Sequence, residues 1–166
     1  DFDGVFTNNK VIVHQDSSES VICDRSDGLG FDILRKFIKL KNWNLDFFII
    51  SKEKNCVVKE RAKKMQINCY QGVDNKLNFI KQRLSKNKMD KTLNKKIIYV
   101  GNDLNDLESM IFADFAVSPK DAHQKVKENS DLVIDLNGGD GFLRKFIEII
   151  IELNKMTISE LMYLIN

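Results

Sequence analysis

Asp1 and Asp3 are the residues whose types and spacing point most directly to chemistry. The stretch Asp1-Phe2-Asp3-Gly4 sets two carboxylates two residues apart, just before a glycine. One carboxylate can attack phosphorus and form an aspartyl-phosphate, while a second one nearby can protonate the leaving oxygen and later deprotonate water. The pair therefore indicates a phosphoryl-transfer site with a nucleophile and a general acid/base.

Further polar residues follow other apolar runs of the chain. Residues 101–106 (GNDLND) come after the run at 97–100, Ser51 comes after the run at 46–50, and Lys76 opens a predicted helix. Because the carboxyl ends of parallel strands meet at one edge of a sheet, we expect these side chains to share one crevice with the first acidic pair. There, oxygen ligands suit Mg²⁺, and a hydroxyl and an ammonium can hold phosphoryl oxygens.

The elements that must position these residues alternate between strand and helix patterns. The sequence predicts a β-hairpin from residues 10–13 and 20–23, strands at 46–50, 68–70, 97–100, 115–117 and 132–134, and helices at 29–41, 54–65, 75–84 and 122–127. Such alternation is typical of an α/β, three-layer Rossmann-like fold, with a parallel sheet between two layers of helices. Residues 86–96 are lysine-rich and predict a loop, and Thr157 begins a capping box for a last short helix. We expect residues 1–166 to form a single domain.

Composition narrows the classes of function. The chain has 166 residues, 43% of them hydrophobic, which is enough for one buried core. Its net charge is +2 with both signs interspersed, so no nucleic-acid surface is expected, and no apolar stretch is long enough to span a membrane. Cys23, Cys56 and Cys69 lack metal-ligand spacing and are interpreted as reduced and mostly buried, which favours a cytoplasmic protein.

The position of Asp1 in the chain carries an expectation of its own. A carboxylate nucleophile is usually held at the end of a buried strand, and no residue precedes Asp1 in this sequence. We therefore expect about five or more apolar strand residues upstream of Asp1 in the natural protein.

These residues resemble the motifs of the haloacid dehalogenase (HAD) superfamily. Its four motifs correspond to residues 1–4, Ser51, Lys76 and residues 101–106. More narrowly, the chain resembles the capless, tetrameric phosphatases of 2-keto-3-deoxy sugar acids and the related domain fused to some acylneuraminate cytidylyltransferases. The supporting segments are residues 24–30 (DRSDGLG), 70–76 (YQGVDNK), 99–106 (YVGNDLND) and 138–144 (GGDGFLR).

The resemblance implies a role for each motif residue. Asp1 is the nucleophile, Asp3 the general acid/base, and Ser51 and Lys76 hold the phosphate. Mg²⁺ is bound by the Asp1 carboxylate, the Asp3 backbone carbonyl and one side chain of residues 101–106. The hairpin takes the place of a cap domain and helps to build a homotetramer.

The sequence departs from the family pattern in two motifs. Asn102 stands where the family commonly has Asp, so that either this neutral amide or the neighbouring Asp103 is the third metal ligand. Ser51 is followed by Lys52, where Thr followed by Gly is usual, and a lysine side chain at the crevice would alter the substrate pocket.

The expected substrate is a small sugar acid phosphate. By resemblance, Glu53, with Arg61 and Lys64 on one face of the next helix, favours a nonulosonate such as an acylneuraminate 9-phosphate over 3-deoxy-manno-octulosonate 8-phosphate. Arg144 is a candidate to pair with the substrate carboxylate, in its own active site or a neighbour's. The other candidate contacts are Gly4, Lys52 and Arg25, and the segment around Arg25 could equally be a structural turn.

An interpretation from a different class is also open. The chain could be a non-catalytic tetramerisation domain of an acylneuraminate cytidylyltransferase, and Asn102 is the feature that best supports this. Asp1, Asp3, Ser51 and Lys76 speak against it, because a scaffold has no need of all four together.

Overall fold

Parallel strands lie at the centre of the computed structural model, which describes residues 1–86 and 96–165. In chain order the strands are β1 (Ile12–Val13), β2 (Glu19–Ser20), β3 (Phe48–Ile50), β4 (Asn68–Tyr70), β5 (Ile98–Val100), β6 (Phe115–Pro119) and β7 (Leu132–Ile134). β3 pairs in parallel with β4, and β5, β6 and β7 form a second parallel group in that order. β1 and β2 form an antiparallel hairpin, as predicted.

Helices cover two faces of these strands. They are α1 (Arg25–Lys41), α2 (Cys56–Lys64), α3 (Lys76–Lys86), α4 (Leu107–Phe112), α5 (Gln124–Glu128), α6 (Phe142–Ile150) and α7 (Ile158–Ile165), with short 3₁₀ turns at Leu104–Asp106 and Leu153–Lys155. One apolar cluster joins α1, α2 and α6, and a second joins α3, α4 and α5. The three-layer α/β prediction is therefore confirmed.

The apolar cluster that joins α1, α2 and α6 contains stacked aromatic rings. Phe2 and Phe142 are completely buried, and the ring of Phe6 stacks between those of Phe2 and Phe31, with centroids 5.3 and 5.8 Å apart. Burying each ring stabilises the fold by roughly 3 kcal/mol. Because Phe2 lies between the two acidic residues of the first motif, this packing also fixes the backbone that carries them.

One predicted helix boundary and one predicted burial need correction. α1 begins at Arg25 and not at residue 29, because the Asp24 side chain accepts a hydrogen bond from the Ser26 amide at 2.7 Å and caps the helix. Cys23 and Cys69 are half-buried, whereas Cys56 is exposed, so the expectation of mostly buried thiols is wrong for Cys56. Apart from its two end residues, the predicted loop at 86–96 lies outside the described residues.

The end of the chain follows its capping signal. The Thr157 Oγ1 atom accepts from the Glu160 amide at 3.3 Å, and Glu160 accepts from the Thr157 amide at 2.8 Å. This reciprocal pair opens α7 as the capping box predicts. In the described part of the chain, no helix has the length and apolar character needed to cross a bilayer.

Candidate active site

The first acidic loop lies at the carboxyl end of β5. The backbone nitrogen of Asp1 donates a 2.8 Å hydrogen bond to the Val100 carbonyl. A tight turn follows, in which the Phe6 amide donates to the Phe2 carbonyl at 2.8 Å and Gly4 adopts a φ of +74°. The buried Thr7 hydroxyl accepts from the Gly4 amide at 3.2 Å, which holds the turn in shape.

Lys76 lies between two carboxylates. Its Nζ atom is 2.7 Å from Asp1 Oδ1 and 2.7 Å from Asp106 Oδ1, and its side chain is only 2% exposed. A buried ammonium between two carboxylates is both neutralised and held in place. The nucleophile and the phosphate-holding lysine predicted from sequence are thus in direct contact.

Asp106 organises this part of the site. Its Oδ1 atom also accepts from the Tyr99 hydroxyl at 2.7 Å, and its Oδ2 atom accepts from the Asn102 and Asp103 amides at 3.0 and 3.3 Å. Burial raises the pKa of Asp106, whereas the neighbouring Lys76 ammonium and the hydrogen bonds from Lys76 and Tyr99 lower it, so that its carboxylate form is favoured. Asp106 is therefore an ionised anchor for Lys76.

The sequence places Asp106 in the acidic cluster at residues 101–106, but the role of anchoring Lys76 was not predicted. Its position at the end of the GNDLND segment, one helical turn after Asn102, is the feature that could have indicated this role. Gly101 explains the close approach, because a Cβ atom there would lie 2.6 Å from Asp106 Cβ.

The side-chain amide of Asn102 lies against the first acidic loop. Its amide packs against Gly4, where a Cβ atom would lie 1.9 Å from Asn102 Nδ2. Its Oδ1 atom is buried and has no hydrogen-bond partner among the described residues. Since a buried acceptor without a partner is costly, an oxygen-seeking cation beside Asp1 and Asp3 would fit the arrangement.

Asp103 is placed differently. Its carboxylate is exposed and caps the following 3₁₀ turn by accepting from the Leu104 amide at 2.7 Å. Across residues 1–86 and 96–165, no three His, Cys, Asp or Glu side chains are grouped to hold a metal ion. A cation at this site would therefore depend on amide and carbonyl oxygens as well as on the Asp1 carboxylate.

The Ser51 hydroxyl is oriented as a donor. Ser51 is buried at the end of β3, and its Oγ atom accepts from the Glu53 amide at 3.1 Å. Because the hydroxyl already accepts one hydrogen bond, its own hydrogen is available for an anionic oxygen. The Val73 amide donates to the Ser51 carbonyl at 3.1 Å, which connects this loop to the segment before Lys76.

These residues border a cavity of about 160 Å³, which we call the acidic cavity. It is lined by Asp1, Asp3, Asn9, Ser51, Lys52, Glu53, Asn102, Asp103 and Asn105. A second cavity of about 230 Å³, the hairpin groove, adjoins it and shares Asp3, Asn9 and Glu53. Asn9 and Asn105 were not predicted as site residues; Asn105 lies within the predicted motif at residues 101–106, whereas Asn9 belongs to no motif.

The two acidic residues of the first motif have different environments. Both contacts of the Asp1 carboxylate that the structure shows, from Lys76 and from the Phe2 amide at 2.7 Å, use its Oδ1 atom. Asp3 is half-buried, and burial together with the nearby negative charge of Glu53 raises its pKa. Asp1 is thus suited to remain a carboxylate, and Asp3 to hold a proton.

Four predicted basic contacts lie elsewhere. Arg25, Arg61, Lys64 and Arg144 are not among the residues that line the two cavities in the described part of the chain. Arg61 donates to the Asp24 carbonyl at 2.8 Å, and Arg144 pairs with Glu148 at 2.7 Å. Arg25 and Lys64 are exposed. Within one chain, the structure brings none of them to the predicted substrate site.

The backbone of Gly4 is in close contact with the glycine-rich segment at residues 138–141. A Cβ atom on Gly138 would lie 2.0 Å from the Gly4 carbonyl oxygen, and one on Gly139 would lie 2.5 Å from the Asn8 nitrogen. The Gly139 amide donates to the Val5 carbonyl at 3.1 Å. Residues 138–139 therefore brace the loop that carries Asp1 and Asp3, and only glycine allows this approach.

Comparison with known proteins identifies the family. No protein-family model matches the sequence. A crystal structure of a protein assigned to the HAD family of hydrolases, from Streptomyces avermitilis MA-4680, is 34% identical and has a TM-score of 0.77, covering 89% of this chain and 85% of its own. This chain belongs to the HAD family.

Two further crystal structures are similar over most of their length. The 3-deoxy-D-manno-octulosonate 8-phosphate phosphatase of Moraxella catarrhalis, crystallised with magnesium, phosphate and KDO, is 26% identical with a TM-score of 0.77, covering 90% of this chain and 82% of its own. A protein assigned to the YrbI family of phosphatases, from Pseudomonas syringae pv. phaseolica 1448a, is 26% identical with a TM-score of 0.82, covering 98% and 88%. The predicted HAD branch and the predicted enzyme class, a phosphoric monoester hydrolase, are confirmed.

Proposed function

We propose that this chain is a Mg²⁺-dependent phosphatase of a 2-keto-3-deoxy sugar acid phosphate. The observation that carries the proposal is the 2.7 Å contact between Lys76 Nζ and Asp1 Oδ1. Asp1 and Ser51 line the acidic cavity and Asp1 contacts the buried Lys76 ammonium, so that a phosphoryl group bound there would have a nucleophile and two donors.

In the proposed reaction, Asp1 attacks phosphorus and forms an aspartyl-phosphate. Lys76 and the Ser51 hydroxyl hold the phosphoryl oxygens, and Asp106 keeps Lys76 in position through its 2.7 Å ion pair. Asp3 donates a proton to the leaving sugar oxygen and then takes one from the attacking water. The raised pKa of Asp3 supports this role, because it favours the protonated acid that the first step requires.

The proposed metal ligands are the Asp1 carboxylate, the Asp3 backbone carbonyl and the Asn102 amide oxygen. Bound there, Mg²⁺ would offset the charge repulsion between the phosphate and the Asp1 carboxylate. Among the described residues Asn102 Oδ1 has no hydrogen-bond partner, which supports Asn102 over Asp103, whose carboxylate already caps a turn.

Two sugar acid phosphates are candidate substrates of the proposed phosphatase. We favour a nonulosonate 9-phosphate, such as an acylneuraminate 9-phosphate, because Glu53 lines both cavities and its carboxylate can accept hydrogen bonds from sugar hydroxyls. Arg61 and Lys64 line neither cavity, so this preference depends on Glu53 alone. The second candidate is 3-deoxy-manno-octulosonate 8-phosphate, which the Moraxella catarrhalis enzyme's name supports.

The remaining parts of the proposal concern assembly. We propose a homotetramer of single-domain subunits in the cytoplasm, in which the hairpin contributes to subunit contacts. Val11, Ile12, Val13 and Ile22 support this, because these four apolar side chains of the hairpin are at least half exposed.

Phosphate release from a panel of eight- and nine-carbon sugar acid phosphates tests the function. We expect release with Mg²⁺, loss of release with a chelator, and loss in Asp1→Asn, whose amide cannot form the intermediate. Release from the nine-carbon substrates should exceed that from 3-deoxy-manno-octulosonate 8-phosphate. A folded, tetrameric wild type that releases no phosphate from any substrate would instead favour the non-catalytic tetramerisation domain.

A further inference from the structure

The hairpin groove has two walls that belong to different parts of the chain. Lys10, Val11, Glu19 and Val21 of the hairpin form one wall, and Glu53, Asn55, Val57 and Val58 form the other. The hairpin is attached at its base, where Thr7 and Cys23 form an isolated β-bridge and Val21 packs on the main core. Beyond that point its apolar side chains are largely exposed, so core packing does little to fix its distance from the opposite wall.

Asn55 connects the two walls. Its Nδ2 atom donates a hydrogen bond to the Glu19 carboxylate of β2. Its Oδ1 atom accepts from the Val57 amide at 3.0 Å and caps α2. Because the capping bond requires the oxygen on that side, the amide orientation is set and the NH₂ group faces Glu19.

Asn55 is also bound from the opposite side. Its backbone carbonyl accepts from the Gln71 side chain at 2.5 Å, and the Gly72 amide donates to the Glu53 carbonyl at 3.1 Å. The loop that carries Ser51 and Glu53 is therefore attached to the segment that leads to Lys76. Asn55 thus joins the hairpin and the loop after β3, which both line the groove, to the segment that leads to Lys76.

We propose that Asn55 is a positioning residue, which holds the hairpin over the groove beside Asp3 through its hydrogen bond to Glu19. The inference deepens the proposed phosphatase function, on which it rests for its kinetic consequences. The non-phosphate part of the substrate must lie next to the leaving oxygen, and the groove adjoins the acidic cavity at Asp3. Fixing the width of the groove therefore affects extended substrates and leaves a compact phosphate ester unaffected.

The chemistry of the link allows it to be broken without losing the helix cap. Aspartate is as good an N-cap as asparagine but has no N–H to donate, so Asn55→Asp keeps the cap of α2 and sets two carboxylates against each other. In a Glu19→Gln background, the Gln amide can donate to the new carboxylate at position 55, and the hydrogen bond returns with its direction reversed. Comparing Asn55→Asp in the two backgrounds distinguishes the effect of the hydrogen bond between residues 55 and 19 from any other structural role of Asn55.

The test is a double-mutant cycle measured on the best sugar acid phosphate and on p-nitrophenyl phosphate. We expect Asn55→Asp to raise KM for the sugar substrate about five- to tenfold in the Glu19 background, and less than about twofold in the Glu19→Gln background, as for the loss and return of one charge-assisted hydrogen bond. The kcat/KM value for p-nitrophenyl phosphate, which presents no sugar chain to the groove, should change by less than about twofold across the four proteins. Equal losses in both backgrounds would overturn the proposal.

A second readout does not depend on catalysis. Amide hydrogen exchange of residues 11–21 should become faster in Asn55→Asp and return towards the wild-type rate when Glu19→Gln is added. If the wild type hydrolyses neither substrate, the proposed function fails, and the exchange pattern still decides whether Asn55 holds the hairpin. Unchanged exchange in Asn55→Asp would refute the link.

Discussion

Asp106→Asn is the substitution that tests the architecture of the site most severely. The wild-type carboxylate accepts four hydrogen bonds, from Lys76 and Tyr99 on Oδ1 and from the Asn102 and Asp103 amides on Oδ2. An asparagine can supply only one acceptor oxygen. If that oxygen faces Lys76, the NH₂ group points at two backbone N–H donors, and the GNDLND loop must move.

The size of the effect follows from burial. Asp106 is completely buried and Lys76 is 2% exposed in its side chain, so water cannot replace the lost charge. Removing one partner of a buried ion pair costs about 3 to 5 kcal/mol. Because Lys76 keeps its 2.7 Å contact with Asp1, we expect the lower end, a loss of about 3 kcal/mol in the free energy of unfolding. A displacement of Lys76 by about 1 Å should lower kcat about 100-fold.

Urea unfolding and phosphate release measure these two quantities separately. Asp135→Asn is the matched control, since it removes a carboxylate that pairs with Lys120 at 2.8 Å on the surface, and it should leave both quantities unchanged. The unfolding measurement does not depend on the proposed reaction. A loss of less than about 1 kcal/mol in Asp106→Asn, with unchanged kcat, would refute the view that this residue anchors Lys76.

Three further predictions concern the metal, pH and backbone. Asn102→Asp should lower the Mg²⁺ concentration for half-maximal activity about tenfold, because a carboxylate adds charge to the proposed ligand set. Asn102→Ala should raise that concentration. Equal Mg²⁺ titrations for all three proteins would exclude Asn102 as a ligand. Burial raises the pKa of Asp27 to about 6 from its usual value of 3.8. Ionisation therefore disfavours the fold, and about 3 kcal/mol of stability should be lost as pH rises from about 4 to about 6. Asp27→Asn should flatten that part of the pH profile of unfolding, and an unchanged slope would contradict this assignment. Gly139 has a φ of +77°, and a Cβ atom there would lie 2.5 Å from the Asn8 nitrogen. Gly139→Ala should therefore destabilise the fold by more than about 1 kcal/mol in urea unfolding. Wild-type stability of this variant would show that the loop tolerates the change.

The strand-end rule predicted the centre of the site from sequence. Ser51 and Asn102 follow short apolar runs, Lys76 opens a helix, and the structure brings them with Asp1 around one cavity or into direct contact. The reason is general, since parallel strands share their carboxyl edge whatever the side chains are. The predicted strand at residues 68–70 also agrees with β4 of the structure.

Side-chain direction could not be predicted in the same way. Periodicity placed Arg61 on a helix correctly, but its guanidinium turns towards the Asp24 carbonyl on α1's cap and away from the cavities. The contact between Asn55 and Glu19 joins a helix cap to a hairpin 36 positions earlier. Neither residue type nor spacing indicates such a pair, because it depends on how separately predicted elements pack.

The bracing of the first loop by residues 138–139 has a consequence for biosynthesis. Gly4 and Val5 touch a segment that is made more than a hundred residues later, and Asp27 accepts from the Arg144 amide at 2.8 Å across 117 positions. Contacts so distant in sequence form late in folding. On the ribosome, a nascent chain that has not yet exposed residue 144 lacks these supports, so the loop that carries Asp1 and Asp3 should acquire its final shape only after residues 138–144 have emerged.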